Sequence, residues 1–211
     1  MRSSIFYKRP FIIIMLTLII IVGPTSCIFF ETCPEVLPYF QVRGLNIYNF
    51  RYNGQERAAW DIVNNNELIK YDNYFLRVNF EKTYLAQHNN YGGQNLYALS
   101  CEEPGGLGSK VGIDTLYLIT QQDYNSEYLR GDTLNQIIQI NYYTYYKDDY
   151  NQFFPFSNFL EENRNNILRD QFDVKIVAPP LKNGDYDFKL IFILNDGEKF
   201  EKISEKVALA N

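Results

Sequence analysis

Histidine is nearly missing from this chain of 211 residues: His88 stands alone, in the polar loop HNNYGGQN. A Ser/His/Asp triad would hinge on that one ring, and a zinc site would lack the several His or Cys ligands it needs. Cysteine is limited to Cys27, Cys33 and Cys101. Basic charge is short as well, with 20 Lys and Arg against 25 Asp and Glu for a net −5 and no basic block. Such a surface repels polyanions, which excludes nucleic-acid binding and polybasic docking on membranes. The mostly apolar run Phe11–Val22 is 12 residues long, short of the roughly 20 that span a bilayer as a helix. No period of roughly 20–50 residues recurs, which excludes solenoids and propellers.

Motifs that suggest chemistry fall short on inspection. The stretch GGLGSKVG (Gly105–Gly112) has the glycines of a phosphate loop. However, Ser109 precedes Lys110 where a Walker loop needs Lys first, and a β-run follows where a helix is required. It reads as a flexible loop. Asp123, Asn125 and Glu127 alternate like calcium ligands, yet Tyr128 stands where the loop needs Gly and Leu134 where it needs Glu. An Asx-type turn is expected there. Asp148-Asp149 and Glu161-Glu162 are sequence neighbours, which do not face one another on a strand or helix, so they read as solvated surface. No cofactor and no metal is implied, and the chain is read as a non-enzyme. The catalytic alternative is an envelope hydrolase using two distant carboxylates.

What the chain has in excess is aromatic: 18 Tyr and 16 Phe beside the single Trp60. Tyr, Phe, Ile and Val suit pleated, half-buried surfaces, so strands are favoured over helices. Val42–Tyr52 reads as a strand closed by Asn53-Gly54. In Tyr71–Thr83, residues Tyr74, Leu76, Val78 and Phe80 share one face, with Phe75, Arg77, Asn79 and Glu81 on the other. Leu96–Cys101 is a short strand candidate, and Ile113–Thr120 reads as a strand buried on both faces. Ile137–Tyr146 and Phe172–Val177 are further strands, separated by a short helix that Ser157 caps and that runs to Leu168. Tyr186–Leu194 and Phe200–Leu209 form a hairpin across Asn195-Asp196-Gly197. Seven to eight short strands with one or two short helices predict an all-β, antiparallel, immunoglobulin-like β-sandwich, with a closed barrel as competitor.

At the N-terminus, Arg2, Lys8 and Arg9 precede the apolar run, Gly23-Pro24 breaks it, and the small pair Thr25-Ser26 leads into Cys27. Small residues running directly into a cysteine resemble the lipobox of bacterial lipoproteins, although Pro24 stands where an aliphatic residue is usual. The resemblance implies a cut before Cys27 and acylation of that cysteine by palmitate-like chains. Residues 1–26 are then a lipoprotein signal peptide, 27–40 a lipidated tether and 41–211 the sandwich domain. Removing residues 1–26 takes three basic residues and no acidic one, so the net charge falls from −5 to −8. The alternative is an uncleaved anchor over Phe11–Phe30. With Cys27 lipidated, Cys33 and Cys101 permit one disulfide; free thiols are the other reading.

The signal at Cys27, the stretch IDTLYLITQQDYNSEYLRGDTLNQII (Ile113–Ile138) and the closing hairpin together resemble uncharacterised lipoprotein families of Gram-negative bacteria. That resemblance implies an immunoglobulin-like sandwich in the cell envelope, lipid-anchored at the outer membrane, and no established catalytic residues. The expected function is therefore a binding or structural module, with a glycan or an envelope protein as partner. An adhesin or pilus-type assembly subunit is the alternative. The candidate binding surface is the crowded run YYTYYKDDYNQFFPF, and within it Tyr142, Tyr143, Tyr145 and Tyr146, because rings on both faces of a strand cannot all enter one core.

Overall fold

A computed structural model describes residues 37–52, 60–63, 67–85, 104–142 and 152–211. Along these the strands are β1 (Tyr39–Tyr52), β2 (Trp60–Ile62), β3 (Leu68–Lys70), β4 (Tyr74–Leu85), β5 (Ile113–Thr120) and β6 (Ile138–Asn141). They continue with β7 (Phe154–Pro155), β8 (Gln171–Ile176), β9 (Gly184–Tyr186), β10 (Phe188–Leu194), β11 (Lys199–Ile203) and β12 (Val207–Ala210). Among the described residues the one α-helix is α1 (Phe156–Glu162).

Alternating side chains build the larger sheet. On β4, Tyr74, Leu76, Val78 and Phe80 are all buried, the face expected from the sequence. On β1 the buried positions switch from even (Phe40, Val42) to odd (Leu45, Ile47), and the switch falls at a bulge between Val42 and Gly44. One extra residue there keeps the apolar face turned inward. β8 and β6 complete the sheet, all neighbours antiparallel, in the order β1-β4-β8-β6 with the short β2 and β7 at its edges. The facing sheet is β5-β10-β11, also antiparallel.

Taken in chain order, β1, β4, β5, β6, β8, β10 and β11 occupy the positions of strands A to G of a constant-type immunoglobulin domain, whose sheets are ABED and CFG. A second hallmark agrees. The Tyr186 hydroxyl, just before β10, donates to the Lys182 carbonyl at 2.8 Å, the tyrosine corner of that fold. The fold is an all-β antiparallel sandwich.

The closing hairpin forms as expected: Gly197 takes φ +89°, and Asp196 Oδ1 accepts the Glu198 N–H at 3.0 Å. The pairing continues beyond Ser204 with a one-residue shift, Tyr186 meeting Val207. On the other side of β12, β3 pairs in parallel, so the first crossover is tied to the last strand.

Several expectations are corrected. β5 alternates, with Leu116 and Leu118 buried and Tyr117 38% exposed. Only one of its faces meets the other sheet, so only that face is covered. Ser157 does not cap α1, which follows Pro155 without a side-chain cap and ends at Glu162 instead of Leu168. β1 starts at Tyr39, with Phe40 buried, ahead of the strand start expected at Val42.

The glycine stretch read as flexible, Gly105–Gly112, is instead a strap held to the rest of the domain by backbone hydrogen bonds. Gly105 N–H donates to Leu37 O at 2.8 Å, Leu107 N–H to Pro38 O at 2.9 Å, and Phe40 N–H to Gly108 O at 3.0 Å. Ser109 N–H donates to Ile167 O at 2.7 Å, Ile113 N–H to Asn163 O at 2.8 Å, and Asn195 N–H to Gly112 O at 3.1 Å. The glycines permit backbone to approach backbone. A Cβ on Gly108 would sit 2.2 Å from Ile167 O, and one on Gly112 1.9 Å from Arg164 O.

Among the described residues, ten Tyr and Phe side chains lie in the core. One cluster joins Phe80 to Phe192 at 5.1 Å and Phe159 to Phe172 at 4.9 Å. A second joins Tyr124 to Tyr186 at 5.5 Å, and Tyr74 to Phe188 at 6.3 Å.

Candidate functional site

The register of the larger sheet also aligns residues on the face turned away from the core. Phe50 lies opposite Phe75, Tyr48 opposite Arg77, and Arg77 opposite Asp173. Arg77 and Asp173 form a bidentate pair, Nε to Oδ1 at 2.8 Å and Nη2 to Oδ2 at 2.9 Å. The guanidinium also lies 4.7 Å from the Phe50 ring centroid and 5.9 Å from that of Phe75. Phe50 stacks on Phe75 at 5.8 Å, Phe153 tilts onto Phe75 at 6.3 Å, and Lys175 Nζ sits 5.7 Å from the Phe153 centroid.

These rings and charges frame a cavity of about 160 Å³ lined by Tyr52, Asp72, Asn73, Tyr74, Phe75, Phe153, Asp173 and Lys175. Its residues come from the end of β1, the 3-10 turn Tyr71–Asn73, the start of β4, the approach to β7 and the middle of β8. Phe75 and Asp173 are buried here, Asp173 to 3% exposure, even though they point outward. Burial pushes the Asp173 carboxyl above its usual range, while the Arg77 pair pulls it down and does not fully offset that. The cavity thus combines aromatic rings with two carboxylates, Asp72 and Asp173, one amide, Asn73, and one ammonium, Lys175. Its volume is close to the roughly 150 Å³ that admits a single six-membered ring in an engineered core, and below the 300–1,000 Å³ or so of drug-sized pockets.

The sequence-derived candidates are distributed differently. Tyr142 is 6% exposed and packs on Phe159 at 5.5 Å and Phe154 at 5.7 Å, so it belongs to the core and not to a binding surface. Its position continues the inward set of β6, Ile138 and Ile140, which fixes its direction. Tyr143, Tyr145, Tyr146, Cys27, Cys33, Cys101, His88 and Asp148-Asp149 lie outside the described residues. Asn125 Oδ1 accepts the N–H groups of Glu127 at 2.9 Å and Tyr128 at 3.0 Å, and Asp123 Oδ1 accepts that of Arg130 at 2.9 Å. That is the Asx-type turn. Glu161 and Glu162 are exposed in the last turn of α1. Among the described residues no three His, Cys, Asp or Glu converge as metal ligands.

Sequence reasoning missed Tyr52, Phe75, Phe153, Asp173 and Lys175. One signal was present: Phe75 is the aromatic residue on the otherwise polar face of β4, next but one to Arg77.

The sequence matches no family model and no curated protein. Among solved structures, the C-terminal domain of the Streptococcus pyogenes antigen I/II-family protein AspA aligns at 13% identity with a TM-score of 0.24. The alignment covers 80% of this chain and 47% of that one, so the chain spans about half its length. Among the described residues no helix is long and apolar enough to cross a membrane.

Proposed function

We propose that this chain is a lipid-anchored, non-catalytic capture module of the cell envelope, and that its outward-facing cavity holds one ring of a glycan. The observation that carries this reading is the cavity itself, ring-sized and walled by Tyr52, Phe75 and Phe153, with Asp72, Asn73 and Lys175 around it. Aromatic faces stack on the C–H face of a sugar, and a carboxylate, an amide and an ammonium are suited to its hydroxyls. Asp173 has both oxygens engaged by Arg77, which favours a structural carboxylate over one that moves protons. One ring in a shallow site gives weak binding, with a Kd on the order of a millimolar, because much of the gain is lost to the cost of association. Attachment through an acylated Cys27 at the outer membrane completes the reading; intact mass spectrometry finding residues 1–26 retained and Cys27 unmodified overturns that part.

Titration of the full chain in detergent micelles with neutral hexoses and short glycans, followed by NMR, tests the site. Shifts should appear at the amides of Phe75 and Lys175, and Tyr52→Ala and Phe153→Ala should each abolish them with an unchanged circular-dichroism spectrum. A wild type that shows no shift with any sugar defeats the glycan reading.

A further inference from the structure

At the end of the sandwich where β1 starts, apolar and aromatic side chains gather around the glycine strap. Tyr39 pairs with Leu85 and Phe40 with Tyr84 across the ladder. Gly105 lies against Tyr84, its absent Cβ 3.0 Å from the ring, and Gly108 lies against the backbone of Ile167 and Leu168, its absent Cβ 3.0 Å from the Leu168 Cα. Leu107 between them is 51% exposed, Leu168 is 50% exposed, and Tyr84 and Leu85 are exposed too. Two ammonium groups edge the patch: Lys110 Nζ is 4.2 Å from the Tyr39 ring centroid and Lys82 Nζ is 5.5 Å from that of Tyr84. We infer that this patch, Tyr84, Leu85, Leu107 and Leu168 with its flanking lysines, is a seat that rests in the headgroup boundary of the phospholipid bilayer.

Connectivity supplies the occupant. The inference rests on the reading of Cys27 as the lipidated residue. Ten residue steps separate Cys27 from Leu37, which at about 3.3–3.6 Å each reach at most about 36 Å. A domain of this size has a radius of gyration of about 16 Å, hence a width near 40 Å. So short a tether, entering at Leu37–Phe40 beside the strap, holds this end nearest the bilayer and keeps the opposite end out of its reach. The chemistry fits the place. Tyr rings favour the headgroup level, and lysines lay their stems along apolar surface while the ammonium stays wet. Lys82 is already paired with Asp170, so the seat works by apolar insertion and needs no anionic lipid. The opposite end also exposes apolar side chains, Leu129 and Leu181, but it lies away from the entry at Leu37–Phe40.

The test uses the full chain, purified with its native N-terminus and reconstituted into vesicles of brominated phosphatidylcholine. With Trp60→Phe as background, Leu107→Trp places a fluorophore in the seat, Leu168→Trp a second one, and Leu181→Trp a control at the far end. Emission from the first two should be quenched and shifted to the blue, and the Leu181→Trp emission should match that in buffer. Either seat probe alone suffices if the other variant fails to fold. Quenching at the seat with an unquenched control supports the inference whatever holds the N-terminus. Unquenched seat probes on protein whose intact mass shows an acylated Cys27 overturn the seat and leave the anchor standing. Unquenched probes on protein without that lipid overturn both.

Discussion

Arg77 and Val78 are neighbours on β4, yet they belong to two different environments. Val78 points into the sandwich and is buried among apolar side chains. Arg77 points the other way, between two phenylalanine rings and a carboxylate that is itself buried. The inner face could lose or gain a methyl group only at the cost of packing. The outer face instead keeps a charge pair where an apolar pair would serve stability as well or better, since desolvation offsets much of the Coulomb attraction in a buried ion pair. Burial alone therefore does not tell a core from a site. What separates them is whether the buried groups are ones that stability would choose.

The largest expected effect breaks the inner face. Phe172→Ala removes a ring held by Phe80, Phe159 and Phe192, and should cost about 3–5 kcal/mol in urea unfolding. Next comes the outer pair. Arg77→Ala leaves Asp173 buried without its fork and should cost about 3 kcal/mol at neutral pH. The penalty should shrink as pH falls. The Asp173 pKa is already raised by burial, and it rises further once Arg77 is gone. A carboxyl whose folded pKa lies above its unfolded one loses stability as pH rises through the folded value and recovers it below. A penalty that grows in acid would refute the burial of Asp173. The comparison is sharpened by giving the outer face the inner chemistry: Arg77→Met with Asp173→Leu should be neutral or stabilising to unfolding while sugar-induced NMR shifts disappear.

The strap ties both faces at one end, so Gly112→Ala should weaken the whole domain by about 1–3 kcal/mol through overpacking against Arg164 O. Gly131→Ala, whose added methyl meets nothing but requires a left-handed backbone at φ +93°, gives a comparison for backbone strain alone, about 1–2 kcal/mol. The smallest effect is reserved for a fully exposed charge. Glu201 on β11 accepts hydrogen bonds from Lys189 and Lys199, which hold its carboxyl down to about 2. Glu201→Gln should nevertheless leave the melting temperature unchanged in physiological salt, because solvent screens such pairs.

How much of this was legible in the sequence depends on the range of the interaction. Strict alternation fixed the inward set of β4, and Asn195-Asp196-Gly197 announced the hairpin, because both are local rules. The strap was misread for a physical reason: Gly105, Gly108 and Gly112 advertise a permissive backbone but not whether it serves mobility or close approach. Tyr142 looked like surface because crowding of rings says nothing of which one continues the inward parity of Ile138 and Ile140. The cavity was invisible for a third reason. Tyr52, Phe75, Phe153 and Lys175 lie far apart in sequence, and only the register that sets Phe50 opposite Phe75 and Leu76 opposite Val174 brings them together.

β1 carries a mechanical consequence. It begins with Tyr39 beside the strap and ends at the cavity with Tyr52, a strand of 14 residues and about 45 Å in length. A ligand pulled away while the N-terminus is held would load that strand along its own axis. The paired register from Tyr39↔Leu85 to Arg51↔Tyr74 would then bear the force as shear, many hydrogen bonds at once, instead of opening like a zip from one end. The strand that positions the aromatic wall is also the strut that resists its removal.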